Sequence, residues 1–546
     1  MRIALGCDHG GLNLKNEILN YLKEEGMEVK DFGTYTEESC DYADISLPVA
    51  EAVAAKEFDF GILICGTGIG IGIAANKVPG VRAALCSDTF SAHATREHND
   101  ANIIAFGQDH MGYKDVQKRF DIFVSTPFSG LKHQAARIQQ IKDIEEGKEK
   151  LEIVSNLARR MVKKANIDMK IYSTLDRREA LKDADFVTTQ FRVGQLDARI
   201  KDERIPLSHG LIGQETNGAG GLFKALRTIP VVLDIIKDIK ELCSDAWLIN
   251  FTNPAGIVSE AVFRYTNFKK YIGLCNVPIG IKNNLAQLLG VDSSRLDMDF
   301  AGLNHMVYGL NVKLDGEDIT SEAIVKYIEG NITMKNIKDI EFNKEFIKAL
   351  GVIPCPYHRY YYKSADMLES ELEEFKEGTI RGQVVKKLEE ELFELYKDEN
   401  LDIKPPQLEK RGGAYYSDAA CNLINSIYNN KKDIQVVNTL NNGAISDFKD
   451  DEVVEVSCVI TKDGPRPISM GYLPTAISGL VRQIKSFELL AAKAAVTGDY
   501  DTAYLALCIN PLTPSDDVAK VVFDELIDAH SKYLIKNRDI EGEKVE

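Results

Sequence analysis

The sequence lacks cysteines at metal-finger spacing. Its ten cysteines are scattered with no C-x-x-C pair, which excludes a zinc framework and a dense disulfide scaffold and suits a reducing compartment. It also lacks positive charge. Lys plus Arg is 66 against 83 for Asp plus Glu, a net charge of −17. Such a chain repels a phosphate backbone, so no nucleic-acid partner is expected. Small phosphorylated ligands stay open, because a few local cations hold them. There is no long apolar run. The longest uncharged stretch, Phe60–Asn76, carries Gly61, Gly66, Gly68, Gly70 and Gly72, and reads as a strand plus a glycine loop, not a membrane span. The start, MRIALGCDHGG, is too short and polar for a signal peptide. A cytoplasmic protein without a membrane partner is expected. Internal repeats and low-complexity tracts are missing too.

What is there is ordinary globular composition, 44% apolar and 27% charged over 546 residues. At roughly 150 residues per domain this suggests two to four domains. Arg2–Gly6 reads as a strand. Leu12, Leu14, Ile18, Leu19 and Leu22 then repeat at helical spacing and stop at Gly26. Strands are expected at 27–32, 61–65, 81–86 and 102–106, and helices at 45–55, 91–98, 114–124 and 132–140. This alternation predicts a doubly wound, Rossmann-like parallel sheet. A second unit begins near 140–148, with a helix at 148–165 and strands at 170–173, 186–189, 247–251 and 271–274. From Ile319 long helices dominate, and 369–400 reads as an amphipathic helix with a solvated face.

Three patches at strand ends stand out in the first unit: Gly6–Gly10, Cys65–Gly70 and Arg96–Asp100. Ligands of open parallel sheets bind at carboxyl strand ends. The loop after Cys65 is nearly all backbone amide and precedes a helix, so it can hold an oxyanion. A cysteine there can serve as a base. Alone, a strand-end cysteine is ordinarily a small buried side chain; three patches together favour a site. The stretches GCDHGG, DYAD, ILICGTGIGIGIAANK and SAHATREHNDAN resemble the ribose-5-phosphate isomerase B family, which includes galactose-6-phosphate isomerase subunits. The likeness spans residues 1–143. It implies aldose–ketose isomerisation without a cofactor, in a dimer whose sites borrow residues from the neighbouring subunit. By this resemblance Cys65 moves the proton between carbons 2 and 1. Thr67 and the amides of Gly66, Gly68 and Gly70 stabilise the enediolate oxygen, and His98 assists ring opening. Asp8, His9, Tyr42 and Asn99 hold hydroxyls. The family usually carries an arginine shortly after the strand ending at Gly107; here stands Gln108-Asp109-His110. Its G-G-R-H-x-x-R pattern appears as Gly130-Leu131-Lys132-His133, then Arg137. Arg137 is the expected phosphate anchor, with Lys132 or His133 second, and weakened phosphate binding or a shifted substrate follows.

The second unit has its own polar patches: Arg192-Val193-Gly194, Gly213–Thr216, Asn250–Pro254, Cys275–Pro278, Asn304-His305 and Tyr357–Tyr362. A thiolate and an imidazole can share a divalent metal, although two ligands 30 residues apart are weak evidence from spacing. QFRVGQLDARIKDERIPLSHGLIGQETNGAGG, INFTNPAGIVSEA, GLCNVPIG, GLNH and LEKRGGAYYS resemble family-four glycoside hydrolases over residues 143–535, and the Cys-Asn-Val-Pro version resembles their 6-phospho-β-glucosidase branch. That resemblance implies NAD and a divalent metal, usually manganese, in place of the two-carboxylate scheme. It makes Cys275 and His305 metal ligands, puts Asn253 and Asn276 on sugar hydroxyls, and draws the base tyrosine from 357–362, with Tyr360 preferred. Arg411 is assigned to the phosphate or the base environment. Gln190 and Arg192 are expected near the cofactor, and Asp143 at the position that ends the second strand and holds the adenosine ribose.

The family's opening strand and glycine turn are missing between the two likenesses. The expected fold is therefore α/β: a Rossmann-like sheet in 1–143, an incomplete Rossmann-like part in 144–310 and an α+β substrate and oligomerisation domain in 311–546. Loss of the first strand predicts weak or absent NAD binding. Three readings follow. The chain is a fused isomerase and glycosidase acting on small phosphorylated sugars, as a homo-oligomer; or an isomerase with a non-catalytic assembly module; or the product of an artefactual join.

Overall fold

The computed structural model describes residues 1–330, 332, 334, 337–412 and 415–535. The chain divides into two compact units, Met1–Asn156 and Leu157–Glu546. The first alternates β1 (Arg2–Cys7), α1 (Leu12–Glu24), β2 (Glu28–Asp31), α2 (Tyr42–Ala54), β3 (Phe60–Cys65), α3 (Ile69–Ala75), β4 (Ala83–Leu85), α4 (Thr89–Asn99), β5 (Ile103–Gly107) and α5 (Tyr113–Ser125), and reaches α6 (Lys132–Ala165). The five strands pair in parallel in the order β2-β1-β3-β5-β4. Helices cover both faces, so strand residues such as Ile3, Leu5, Ile62, Ile64 and Ile104 are fully buried. The connections leave β1 and β3 in opposite directions. That opens the crevice at their carboxyl ends, where Asp8 and Cys65 lie.

The position that the resemblance gives Asp143 fails at the junction. Asp143 follows a helix, as expected over 132–140, and not a strand. With no proline from 132 to 165, the two expected helices merge into one α6 of 34 residues, and Asp143 is exposed on it, accepting from Gln139 Nε2 at 2.9 Å. The expected strand at 170–173 also fails. Those residues are unpaired, with Tyr172 84% exposed, because the strand they would need as a neighbour is missing.

The second unit continues with α7 (Arg177–Leu181), β6 (Phe186–Thr189), α8 (Gln195–Ser208), α9 (Gly218–Leu242), β7 (Trp247–Asn250), α10 (Ala255–Tyr265), β8 (Tyr271–Gly273) and α11 (Val277–Leu289). Then come β9 (Leu296–Leu303), β10 (Met306–Leu314), β11 (Glu317–Asp318), α12 (Thr320–Gly330), α13 (Lys344–Leu350), β12 (Ile353–Pro354), α14 (Arg359–Tyr362), α15 (Ser364–Glu377), α16 (Arg381–Lys397) and α17 (Tyr416–Asn429). The remainder is β13 (Ile434–Leu440), β14 (Val453–Thr461), β15 (Gly464–Pro467), α18 (Thr475–Thr497), α19 (Tyr500–Ile509) and α20 (Asp516–His530). The expected helix over 369–400 is two helices, α15 and α16, because Gly378 ends the first at φ +71°.

One sheet, in the order β11-β10-β9-β14-β13-β8-β7-β6, unites this unit, with β12 on β10 and β15 on β14. Only β6, β7 and β8 are parallel. Residues on either side of 310 therefore share a sheet, because β13 and β14 insert between β8 and β9. β6 forms its edge. None of the helices among the described residues is long and apolar enough to cross a membrane.

Candidate active sites

In the first unit, Asp8 N donates to Ile64 O at 3.1 Å, which ties the end of β1 to β3. The Asp8 carboxylate caps the next turn by accepting from Gly10 N at 2.9 Å, and burial raises its pKa. His9 Nδ1 accepts from Cys40 N at 3.2 Å. Cys65 ends β3 with Sγ accepting from Gly68 N at 2.9 Å. Gly68 has φ +77°, and a Cβ there would fall 2.8 Å from the Phe106 carbonyl carbon, so only glycine lets the loop lie on β5. Thr67 is exposed at the loop's tip. The Tyr42 ring would meet a Cβ on Gly70 at 3.0 Å, and Gly66 N would meet one on Gly10 at 3.1 Å. Asp8, His9, Tyr42, Cys65, Gly66, Thr67, Gly68 and Gly70 thus converge.

His98, Asn99, Lys132, His133 and Arg137 do not join them within one chain. Helix α4 starts at the carboxyl end of β4 and runs back along the sheet, carrying His98 and Asn99 about 15 Å to the edge formed by the amino ends of β4 and β5. There Arg82, just ahead of β4, donates to Asn99 O at 3.0 Å. Ser129 N donates to Glu97 O at 3.0 Å, which brings the start of α6 to the same edge, with Lys132, His133 and Arg137 exposed.

In the second unit, a polar net joins the ends of β6 and β7. Thr189 Oγ1 donates to Asn250 Oδ1 at 2.8 Å, and Phe191 N donates to Thr252 Oγ1 at 3.1 Å. A cavity of about 110 Å³ opens there, lined by Gln190, Arg192, Asn253, Asn276, His305 and Arg411 among others. It shares Gln190, Asn276 and Arg411 with a larger space of about 970 Å³. Cys275 and His305 approach through the sheet. Asn438 pairs with Gly273 and Glu455, and Glu455 with Gly302, in one row across four strands. Asn304, in the β9–β10 turn, touches both the Cys275 thiol and the Glu455 carboxylate, the latter at 3.3 Å.

Burial and the Lys224 charge push His305 down to about 3, which keeps the imidazole neutral, its metal-binding form. Burial and Glu455 push the Cys275 thiol up, so a metal there would have to displace its proton. Among the described residues no three His, Cys, Asp or Glu side chains gather as a complete metal cage. His305 lines the cavity, and Cys275 lies behind its wall between Asn276, which lines it, and Asn304; a thiolate and an imidazole are donors that suit a divalent ion with positions left for substrate oxygens.

Four further residues stand here, Arg199 and Lys224 without a sequence signal, and Glu215 and Tyr357 inside patches where no role was given to them. Glu215 sits under three cations: it pairs with Arg192, with Arg199 at 3.0 Å and with Lys224 at 2.8 Å. Burial opposes its charge, but those cations outweigh burial and hold Glu215 well below the usual carboxylate range. The fourth is Tyr357, which lines the cavity and stacks on His305 with ring centroids 3.8 Å apart. Tyr360 lies behind it, 6.2 Å away and 3% exposed. Burial and the Glu371 carboxylate push Tyr360 well above the tyrosine range, and Tyr360 is not among the residues that line the cavity, where Tyr357 is. Gly213–Thr216 is the one sequence signal that could have pointed to Glu215.

The fold and these two sites define an enzyme with separate centres, a thiol and glycine loop in one unit and a thiol–imidazole pocket in the other. The chain belongs to the family 4 glycosyl hydrolases. The Family 4 glycosyl hydrolase model matches residues 130–291 and its C-terminal domain model residues 300–513, while the Ribose/Galactose Isomerase model matches residues 3–141. The chain is thus a fusion of an isomerase-family domain with a family 4 hydrolase. A "Probable 6-phospho-beta-glucosidase" of Bacillus subtilis is 65% identical over 394 residues, 72% of this chain and 89% of the relative. The 6-phospho-beta glucosidase of Thermotoga maritima, solved with NAD and glucose-6-phosphate, superposes with TM-score 0.65 and 26% identity over 98% of this chain and 100% of its own. A 6-phospho-alpha-glucosidase from gut microorganisms, solved with NAD and Mn2+, gives TM-score 0.63 and 25% identity over 71% of this chain and 90% of its own.

Proposed function

We propose that the chain is a two-site enzyme of phosphorylated-sugar metabolism, with isomerisation in 1–143, cofactor and metal contacts in 144–310, and substrate and oligomer contacts in 311–546. The second unit, by this reading, hydrolyses 6-phospho-β-glucosides. The supporting observation is the one cavity that gathers Asn253, Asn276, His305, Tyr357 and Arg411. When bound, NAD supplies a hydride acceptor at sugar carbon 3, and a divalent metal such as manganese supplies Lewis-acid polarisation of the neighbouring oxygens. Cys275 and His305 hold the metal. Asn253 and Asn276 hold hydroxyls. Arg192, Arg199, Lys224 and Arg411 favour the substrate's phosphate, Gln190 and Arg192 would lie near the cofactor, and Tyr357 takes the carbon 2 proton. NAD affinity is low, because among the described residues of the second unit no glycine-rich strand–turn–helix precedes β6 to cradle the pyrophosphate.

The test is nitrophenol release from a nitrophenyl 6-phospho-β-glucoside with manganese across an NAD titration. Release that depends on NAD and saturates only at high NAD concentration is expected. No release at any NAD concentration overturns the hydrolase and leaves a non-catalytic assembly module, the reading that the open edge at β6 favours.

The first unit, on the same proposal, interconverts aldose and ketose phosphates, ribose 5-phosphate among them, without a cofactor. Cys65 moves the proton, Thr67 and the Gly66, Gly68 and Gly70 amides meet the enediolate oxygen, and Asp8, His9 and Tyr42 hold hydroxyls. His98 for ring opening, Asn99 for a hydroxyl, and Arg137, Lys132 and His133 for the phosphate come from a second subunit. The split of these residues between two sheet edges supports a homodimer. So do Ile69, Ile73, Leu85 and Phe90, exposed by 40–77% around the Cys65 loop.

A further inference from the structure

We propose that the isomerase site of the first unit consumes the aldohexose 6-phosphate released by the second, and that Asp109 selects this longer sugar over an aldopentose phosphate. This rests on the two activities proposed above. Its structural basis is a carboxylate beside the Cys65 loop, carried by the segment Gln108-Asp109-His110 that follows β5. Gln108 is committed to the fold, since its Oε1 accepts from Leu14 N at 2.8 Å and caps α1. Asp109 lies against the glycine loop. Its N donates to Gly66 O at 2.9 Å, and a Cβ on Gly66 would fall 2.8 Å from Asp109 Oδ2. The His110 ring lies over Gly107, beside the Thr67 backbone. Asp8 is close enough to feel the Asp109 charge.

Carboxylates accept hydrogen bonds from sugar hydroxyls and repel a phosphate dianion. Asp8 and Asp109 therefore make this end of the crevice a polyol subsite and exclude the phosphate from it. An aldohexose 6-phosphate has one more carbon and one more hydroxyl than an aldopentose 5-phosphate. The extra hydroxyl satisfies the second carboxylate, and the longer chain carries the phosphate farther from it. A pentose phosphate leaves an acceptor unmatched, which a site built for hydrogen bonding penalises.

The chemistry of the two units is consecutive. Hydrolysis of a 6-phospho-β-glucoside frees carbon 1 of a hexose 6-phosphate, and only a free carbon 1 can open to the aldehyde that isomerisation requires. In that isomerisation the Cys65 thiolate takes the carbon 2 proton and returns it to carbon 1, while the proton on oxygen 2 moves to oxygen 1. The product is an isomer, so no oxidant or reductant enters.

The test uses the full chain with glucose 6-phosphate or ribose 5-phosphate in D2O, reading deuterium incorporation and ketose by NMR. The expected result is a kcat/KM for glucose 6-phosphate about tenfold or more above that for ribose 5-phosphate, lost for both sugars in Cys65→Ala. Asp109→Arg lowers the hexose-to-pentose ratio by about tenfold, and the near-isosteric Asp109→Asn lowers it less. Equal rates, or a preference for ribose 5-phosphate, overturn the proposal but leave the isomerase standing. Turnover of neither sugar overturns both. A ratio unmoved in the two Asp109 variants removes Asp109 from the role. Nitrophenol release, measured separately, reports the hydrolase.

Discussion

Tyr357 and Tyr360 differ in what their hydroxyls can reach. Tyr357 lies in the cavity wall against His305, and Tyr360 is packed behind it beside Glu371, under a strong penalty for ionising. Tyr357→Phe should lower kcat for 6-phospho-β-glucoside hydrolysis by about 10²–10⁴-fold, the usual worth of a general base. Tyr360→Phe should stay within about tenfold. Steady-state kinetics with a substrate deuterated at carbon 2 checks this, and the reverse order would return the base to Tyr360. Two tyrosines three apart on one short helical stretch look alike in sequence. Both are buried, and only packing puts one in the cavity wall and the other behind it. The same holds for Arg199, Glu215 and Lys224, whose pairing depends on where α8 and α9 lie.

At the scale of elements, a buried ionic knot binds α10, α18 and β14. Glu260 accepts from Val453 N at 2.9 Å and from Lys485 Nζ at 3.0 Å, and also pairs with Arg264. Lys485 in turn meets Glu488 at 2.6 Å. Burial opposes the Glu260 charge, but Lys485 prevails and its pKa is lowered. Breaking such a buried pair costs about 3–5 kcal/mol, so Glu260→Gln should shift the unfolding of the second unit in urea to lower concentration. A carboxylate whose folded pKa is lowered stabilises above its unfolded value and loses that contribution as pH falls through the folded one. The gap between wild type and Glu260→Gln should therefore narrow on acidification; a constant gap would argue that shape, not charge, matters. Helix α6 offers the opposite case. Gly147 lies inside it, and a Cβ there meets nothing within 4 Å, so Gly147→Ala should stabilise by about 0.5–1 kcal/mol, read by thermal unfolding. Most strands of the first unit were legible to within a residue or two, because buried parallel strands are short apolar runs. The strand expected at 170–173 was not, since a strand exists only with a neighbour to pair.

At the scale of the whole molecule, the isomerase site proposed above is divided between two ends of the sheet, and this predicts activity that depends on a dimer. Cys65→Ala and His98→Asn should each be inactive. Mixing them through unfolding and refolding should restore about a quarter of the wild-type sites, because half the dimers are mixed and each holds one intact site of two. No recovery, with mixed dimers confirmed by mass spectrometry, would mean that Cys65 and His98 act in the same subunit.

The α/β class and the two family likenesses were readable in the sequence by itself. The strand-end motifs around Cys65 and the Cys275 and His305 patches carry their residue types at positions that pattern alone assigns to strand ends and turns. The missing glycine turn before β6 was legible too, as an absence. Tertiary structure alone decided which of these residues meet. The run of α4 back across the sheet separates His98 from Cys65. The Gly273–Asn438–Glu455–Gly302 row brings Cys275 toward His305 across four strands. The fused α6 turns Asp143 to solvent. Local pattern reports the conformation of a few consecutive residues, whereas a site is made by long-range pairing and burial, which no short window of sequence contains.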